Sequence, residues 1–136
     1  MILTSYFGRL RALEEAGLGA RCVPISRHLP DTLPGIFQQR RDLTLAPTAQ
    51  MVSAAKRGIL PWAAYERRYR EEILALQEPA QVVARLRRLA GGAEPILLCY
   101  CGPGHRCHRH LAAHWLRDHG FEVQEWEPAG TQQTLF

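Results

Sequence analysis

Residues 95–100 (PILLCY) form a short apolar run that passes into a loop carrying Gly102 and Gly104, and then into a helical pattern that starts near His108. A strand that hands over to a helix in this way constrains the fold strongly, because such units build a parallel sheet with helices on its faces. The junction also exposes unpaired backbone N–H groups and the positive end of a helix dipole, a combination that attracts anions. Three of the four cysteines and five of the six histidines fall within residues 95–119, so chemistry is expected here.

Apolar and helical stretches alternate along the rest of the chain. Residues 1–7 read as a strand, followed by a helix over 9–16 that Gly17 and Gly19 end. A second strand is expected at 21–26, with Pro24 placing its N–H side unpaired or at a bulge. Residues 28–47 hold Pro30, Pro34, Gly35 and Pro47 and are expected to form a loop with at most one short helix at 35–41. Helical patterns run from Pro47 to a stop at Gly58, across 61–76, where Tyr65, Tyr69, Ile73 and Leu76 share one face, and across 79–90. After the helix at 108–119, the alternating residues 121–126 give a final strand. The expected fold class is α/β: a single three-layer, Rossmann-like domain over residues 1–127, with a small, mostly parallel sheet flanked by helices. Residues 128–136 are expected to be a flexible C-terminal tail.

At 136 residues the chain supports one hydrophobic core. Its 46% hydrophobic and 22% charged residues are those of a soluble globular protein, and no apolar run reaches the roughly 18 residues of a membrane span. No signal peptide is legible at the N-terminus, so a cytoplasmic location and no membrane partner are expected. The net charge is +4, and of the 17 basic residues only Lys56 is a lysine. Arginine grips phosphate in two places at once, which suits nucleotides or nucleic acid. A G+C-rich genome or a heat-adapted host would produce the same bias. Cys22, Cys99, Cys101 and Cys107 do not make an evenly spaced disulfide framework, and reduced thiols or ligands are expected.

Residues 99–109 admit several chemistries. Cys99, Cys101, Cys107 and His108 could hold tetrahedral zinc, but zinc knuckles separate paired ligands by two to four residues, so zinc is kept only as an alternative and no resident cofactor is expected. A thiol near a helix N-terminus, Arg106, Arg109 and several imidazoles could be a nucleophile. The spacing of Cys101 and Arg106, with four residues between them, departs from the five of a tyrosine-phosphatase cradle. A third reading asks less of the geometry: the loop N–H groups, Arg106, Arg109 and His108 hold a phosphate or carboxylate. The plain alternative makes Cys99 and Cys107 small buried residues and leaves the histidines as surface cover.

Residues 4–7 (TSYF), 24–27 (PISR) and 45–47 (LAP), the run 65–74 (YERRYREEIL), and Cys99, Cys101, Cys107, His108 and Arg109 together resemble the bacterial and archaeal "domain of unknown function 488" family. The likeness extends to residue 126. It implies a compact α/β domain in which Ser5, Tyr6, Ser26, Arg27, Tyr65, Arg68, Tyr69, Cys99, Cys101, Cys107, His108 and Arg109 gather at one pocket. Such a pocket is expected at the carboxyl ends of parallel strands. Ser5, Arg27, Arg68 and Arg109 are the expected phosphate-binding residues, His108 the acid/base candidate, and Cys101 or Cys107 the thiol candidate.

Residues 132–136 (QQTLF) resemble the pentapeptide by which bacterial polymerases and repair proteins dock on the sliding DNA clamp. Leu135 and Phe136 would be the apolar anchors and Gln132 the polar contact. The expected function is binding or processing of nucleotide or nucleic acid in DNA maintenance. The alternatives are a thiol- or zinc-dependent module for redox or metal handling, and a non-catalytic binder of a small anion.

Overall fold

The computed structural model of the chain describes residues 1–102 and 106–129, so the expected docking residues Gln132, Leu135 and Phe136 lie outside the described residues. In chain order the elements are β1 (Ile2–Tyr6), α1 (Leu10–Glu15), β2 (Cys22–Pro24), α2 (Ile36–Arg40), α3 (Ala49–Lys56), α4 (Trp62–Tyr69), α5 (Pro79–Leu89), β3 (Ile96–Cys99), α6 (His108–Asp118) and β4 (Val123–Glu125). The four strands form one sheet in the order β2-β3-β1-β4, and every pair is parallel. The expected α/β class holds, and the sheet is wholly rather than mostly parallel. Among the described residues no helix is long and apolar enough to cross a membrane.

The sheet separates two hydrophobic clusters. Ile96 and Leu98 of β3 pack with Leu10, Leu13, Cys22 and Phe37, so α1 and α2 cover one face. Leu97, Ile2 and Val23 point the other way, into Met51, Tyr69, Val82, Leu86, Leu111 and Leu116 from α3 to α6. All four residues of β3 are buried, as an inner parallel strand covered on both faces requires. Each such side chain contributes roughly 1.5–3 kcal/mol by leaving water.

Three elements differ from the sequence reading. The second strand covers only Cys22–Pro24 and lies at the sheet edge, where the missing N–H of Pro24 breaks no ladder. The first helix opens with a 3-10 turn, Phe7–Arg9, ahead of the α-helical residues. The helix expected at 61–76 stops being α-helical after Tyr69 and continues as a π-helical turn, Arg70–Leu74, in which Ala75 N–H donates to Arg70 O at 2.8 Å. The wider turn buries Leu74 in line with Tyr69 and leaves Leu76 80% exposed, which breaks the face on which Tyr65, Tyr69, Ile73 and Leu76 were expected.

The long segment between β2 and α3 is fastened at several points. Ile25 N–H continues the sheet by donating to Leu98 O at 2.9 Å, and Asp42 N–H donates to Pro24 O at 2.9 Å. The buried Asp42 carboxylate accepts from Thr44 N–H and from Arg85 Nε of α5. Thr48 caps α3 by accepting from Met51 N–H at 3.1 Å. Tyr69, fully buried, donates its hydroxyl to Leu45 O at 2.6 Å. Tyr69→Phe leaves that carbonyl unpaired inside the core, and urea unfolding should show a loss of about 1–3 kcal/mol. A loss under about 0.5 kcal/mol would mean that the carbonyl is satisfied elsewhere.

Candidate functional site

At the carboxyl ends of β2 and β3 the chain leaves a cavity of about 610 Å³. Ser26, Arg27 and His28 after β2 form one wall, and Pro47, Val52, Ala55 and Lys56 of the fastened segment and α3 form a second. Leu60, Trp62 and Tyr65 continue around it, and Tyr100, Cys101, Arg106, Cys107 and His108 close the circle from the loop after β3. Arg27, Lys56 and Arg106 bring positive charge, and among the described residues no carboxylate lines the cavity. Helix α6 starts at its edge, and the side chain of its N-cap, Cys107, makes no capping hydrogen bond.

The aromatic wall follows from helical spacing. Trp62 and Tyr65 stack at 5.1 Å between ring centroids, and Tyr65 and Tyr69 stack at 6.4 Å. Burial raises the Tyr65 hydroxyl far above its ordinary value, with the neighbouring Cys101 adding to the effect, so it stays protonated as a donor. Arg27 is held in place by donating from Nε to Pro47 O at 3.0 Å. Ser26 donates its hydroxyl to His28 O at 2.5 Å, turning the chain after β2.

His108 is 6% exposed, and its Nε2 lies 2.8 Å from Ile25 O. Only an N–H can face that carbonyl, so the neutral ring carries its proton on Nε2 and offers the Nδ1 lone pair toward Cys107 Sγ, 3.8 Å away. Burial is the main cause that lowers this imidazole from 6.5 to about 4, against the opposing bond to Ile25 and with help from Arg109 and His110. The ring is therefore neutral at physiological pH.

The thiols differ from one another. Cys101 is half-buried and reaches the cavity, and burial raises its thiol despite the nearby Arg109 charge. The buried sulfurs of Cys99 and Cys107 meet each other, with Cα atoms 7.7 Å apart. A relaxed disulfide spans about 4.4–6.8 Å between Cα atoms, so this backbone separation is that of two facing thiols. Among the described residues, no group of three or more His, Cys, Asp or Glu side chains is placed to hold a metal ion.

Ser26, Arg27, Tyr65, Cys101, Cys107 and His108 thus share the expected pocket. Arg109 lies beneath it, turned from the opening: its guanidinium donates to both Glu125 oxygens at 3.1 and 2.9 Å, to Cys99 Sγ at 3.0 Å and to Cys101 O. Tyr6 lies under that guanidinium, 5.4 Å from its carbon to the ring centre. Burial alone would raise the Glu125 carboxyl, and the bonds from Arg109 and Thr4 reverse this and hold it below the usual carboxylate value. Arg68 is directed to Glu72, at 2.7 Å, and does not line the cavity. Ser5 is buried in β1 with a hydroxyl that finds no partner among the described residues. Tyr69 supports the floor from within the core, as does Cys99.

The sequence reading did not assign Lys56, Trp62, His28 or Tyr100 to the site. Two of these carried a signal: Lys56 is the chain's single lysine, and Trp62 precedes Tyr65 and Tyr69 at helical spacing.

Two measurements check this geometry. Between pH 6.5 and 4 the unfolded chain binds a proton at residue 108 that the folded chain refuses, so the His108 contribution is complete above pH 6.5 and lost as pH falls toward 4, by about 3 kcal/mol in all. Urea unfolding across that range should fall less steeply for His108→Gln, and parallel curves would show that the imidazole is not buried neutral. Native alkylation at neutral pH should modify Cys101 first and slowly, with Cys22, which burial raises to about 12, protected until unfolding. First labelling at Cys107 would contradict its burial.

Comparison with known proteins places the chain in a family. No curated protein and no solved structure matches the chain. The family model described as "Active DUF488-N3 subclade" matches residues 6–120, a span that runs from the end of β1 to the end of α6. With every cavity-lining residue inside that match, the chain belongs to the DUF488 family.

Proposed function

We propose that the cavity binds the phosphate-bearing unit of a nucleotide, free or at the end of a nucleic acid. The observation that carries this reading is the composition of the lining: Arg27, Lys56 and Arg106 face a space in which the described residues place no carboxylate, beside the aromatic faces of Trp62, Tyr65 and Tyr100. Cations and an uncapped helix N-terminus suit phosphate, and flat aromatic rings suit a base. A volume near 610 Å³ falls in the usual range of small-molecule sites, about 300–1,000 Å³. The Tyr65 hydroxyl, the Cys101 thiol and the neutral His108 ring supply donors and an acceptor without competing negative charge.

A setting in DNA maintenance is supported by the sequence of the tail, whose Gln132, Leu135 and Phe136 fit a clamp-docking pentapeptide. Thiol chemistry is the second reading, favoured by the contact between Cys99 and Cys107, the first of them two residues from Cys101. It would act on the same ligand, since Cys101 and Cys107 both line the cavity.

Calorimetric titration separates a nucleotide site from a general apolar pocket. A nucleoside 5′-monophosphate should bind more tightly than the matching nucleoside, and its affinity should fall as salt rises. Arg106→Gln should weaken it by about tenfold or more, since a charged hydrogen bond is worth about 1.5–3 kcal/mol. Equal binding of nucleoside and nucleotide, or indifference to salt, would defeat the proposal.

A further inference from the structure

Beside the first cavity lies a second, of about 400 Å³, lined by Trp62, Glu66, Arg70, Arg106, Cys107, His110, Leu111 and His114. Trp62, Arg106 and Cys107 belong to both, so the two spaces meet at one partition. The second cavity follows the seam between two helices. Trp62, Glu66 and Arg70 recur every four residues on α4 and its C-cap, and Cys107, Leu111 and His114 recur at three to four on α6 and its cap. Its single carboxylate, Glu66, is paired with Arg70 at 3.5 Å. That leaves Arg106 and the imidazoles of His110 and His114 without a negative neighbour in the lining. At the partition the Arg106 guanidinium lies over the Trp62 ring, 6.0 Å from its centre.

From this arrangement we infer that the two cavities are successive subsites of one groove, and that the ligand is the end of a single-stranded oligonucleotide rather than a free mononucleotide. The inference rests on the nucleotide reading of the first cavity and extends it by one unit. Each cavity takes one nucleotide, and the linking phosphate crosses the partition where Arg106 stands. The Trp62 face and the Arg106 plane offer a base and a phosphate adjacent supports, the combination by which single strands are held without sequence readout. The bases of a duplex are paired and stacked, so only an unpaired strand can place successive units in two concave sites. His110 and His114 supply flat rings and N–H donors to the second unit, and Arg70 keeps the Glu66 carboxylate neutralised.

The test is a calorimetric comparison of thymidine 5′-monophosphate with the dinucleotide pTpT, on the full chain. The dinucleotide should bind at least tenfold more tightly. His114→Glu places a carboxylate in the second cavity from an exposed position, and Arg70→Gln leaves the Glu66 carboxylate there unpaired. Each should reduce the ratio of dinucleotide to mononucleotide affinity toward one. Arg106→Gln, at the partition, should weaken both ligands. If the monophosphate binds and pTpT binds no better, the groove is refuted while the first site stands. If the ratio survives both substitutions, the second unit lies elsewhere and the inference also fails. Binding of neither ligand would remove the nucleotide reading and the groove with it.

Discussion

A single guanidinium, that of Arg109, holds the functional end of the domain together. It is 1% exposed and sits in the first turn of α6, where it reaches Glu125 on β4, the Cys99 sulfur on β3, the Cys101 carbonyl beyond β3 and the Tyr6 ring on β1. Three segments, β1, β3 with the residues just beyond it, and β4, are thus fixed relative to the helix that starts at the cavity. A buried cation is tolerated only when its charge is matched and its donors are used, and the two-point grip on Glu125 meets both conditions. Thr4 completes the cluster by donating to the same carboxylate at 2.5 Å.

Given that anchor, the domain divides its charges by depth. Arg109 is neutralised in the interior, whereas Arg27, Lys56 and Arg106 face the open space with no acid among the lining residues. The groups between these layers are neutral at physiological pH: a tyrosine and a thiol raised by burial, and an imidazole lowered by it. A floor of neutral dipoles beneath a ring of cations lets an anion approach without meeting repulsion. The rigid setting comes from the segment between β2 and α3, which Asp42, Leu45 and Pro47 tie to α5, Tyr69 and Arg27 respectively.

Much of the fold was legible because its signals are local. Short apolar runs separated by helical periods dictated parallel strands, and glycine at the ends of helices marked the breaks. Gly120 shows the mechanism: its φ of 91° ends α6 in a conformation that other residues resist, and β4 begins three residues later. The π-helical turn was not legible, since Ile73 and Leu74 are equally apolar and only packing against the sheet decides which one is buried. At the site, the Cys-His-Arg loop was found from residue type and spacing and Arg27 from the family resemblance, but type alone cannot tell an arginine that binds a ligand from one that binds the protein. Arg109 and Arg68 carry the same fork as Arg27, and each is engaged by a carboxylate from a neighbouring position. Lys56 reaches the cavity only through the course of a long, proline-containing segment, which periodicity does not describe.

The π-helical turn at Arg70–Leu74 carries a final consequence. Five residues separate Tyr69 from Leu74 where an α-helix would use four to keep both side chains on one line. The chain therefore stores one spare residue on the solvent side of its aromatic helix, immediately after the tyrosine that braces the cavity floor. Length variation of a single residue can be absorbed there by winding or unwinding the bulge, while Trp62 and Tyr65 keep their aim.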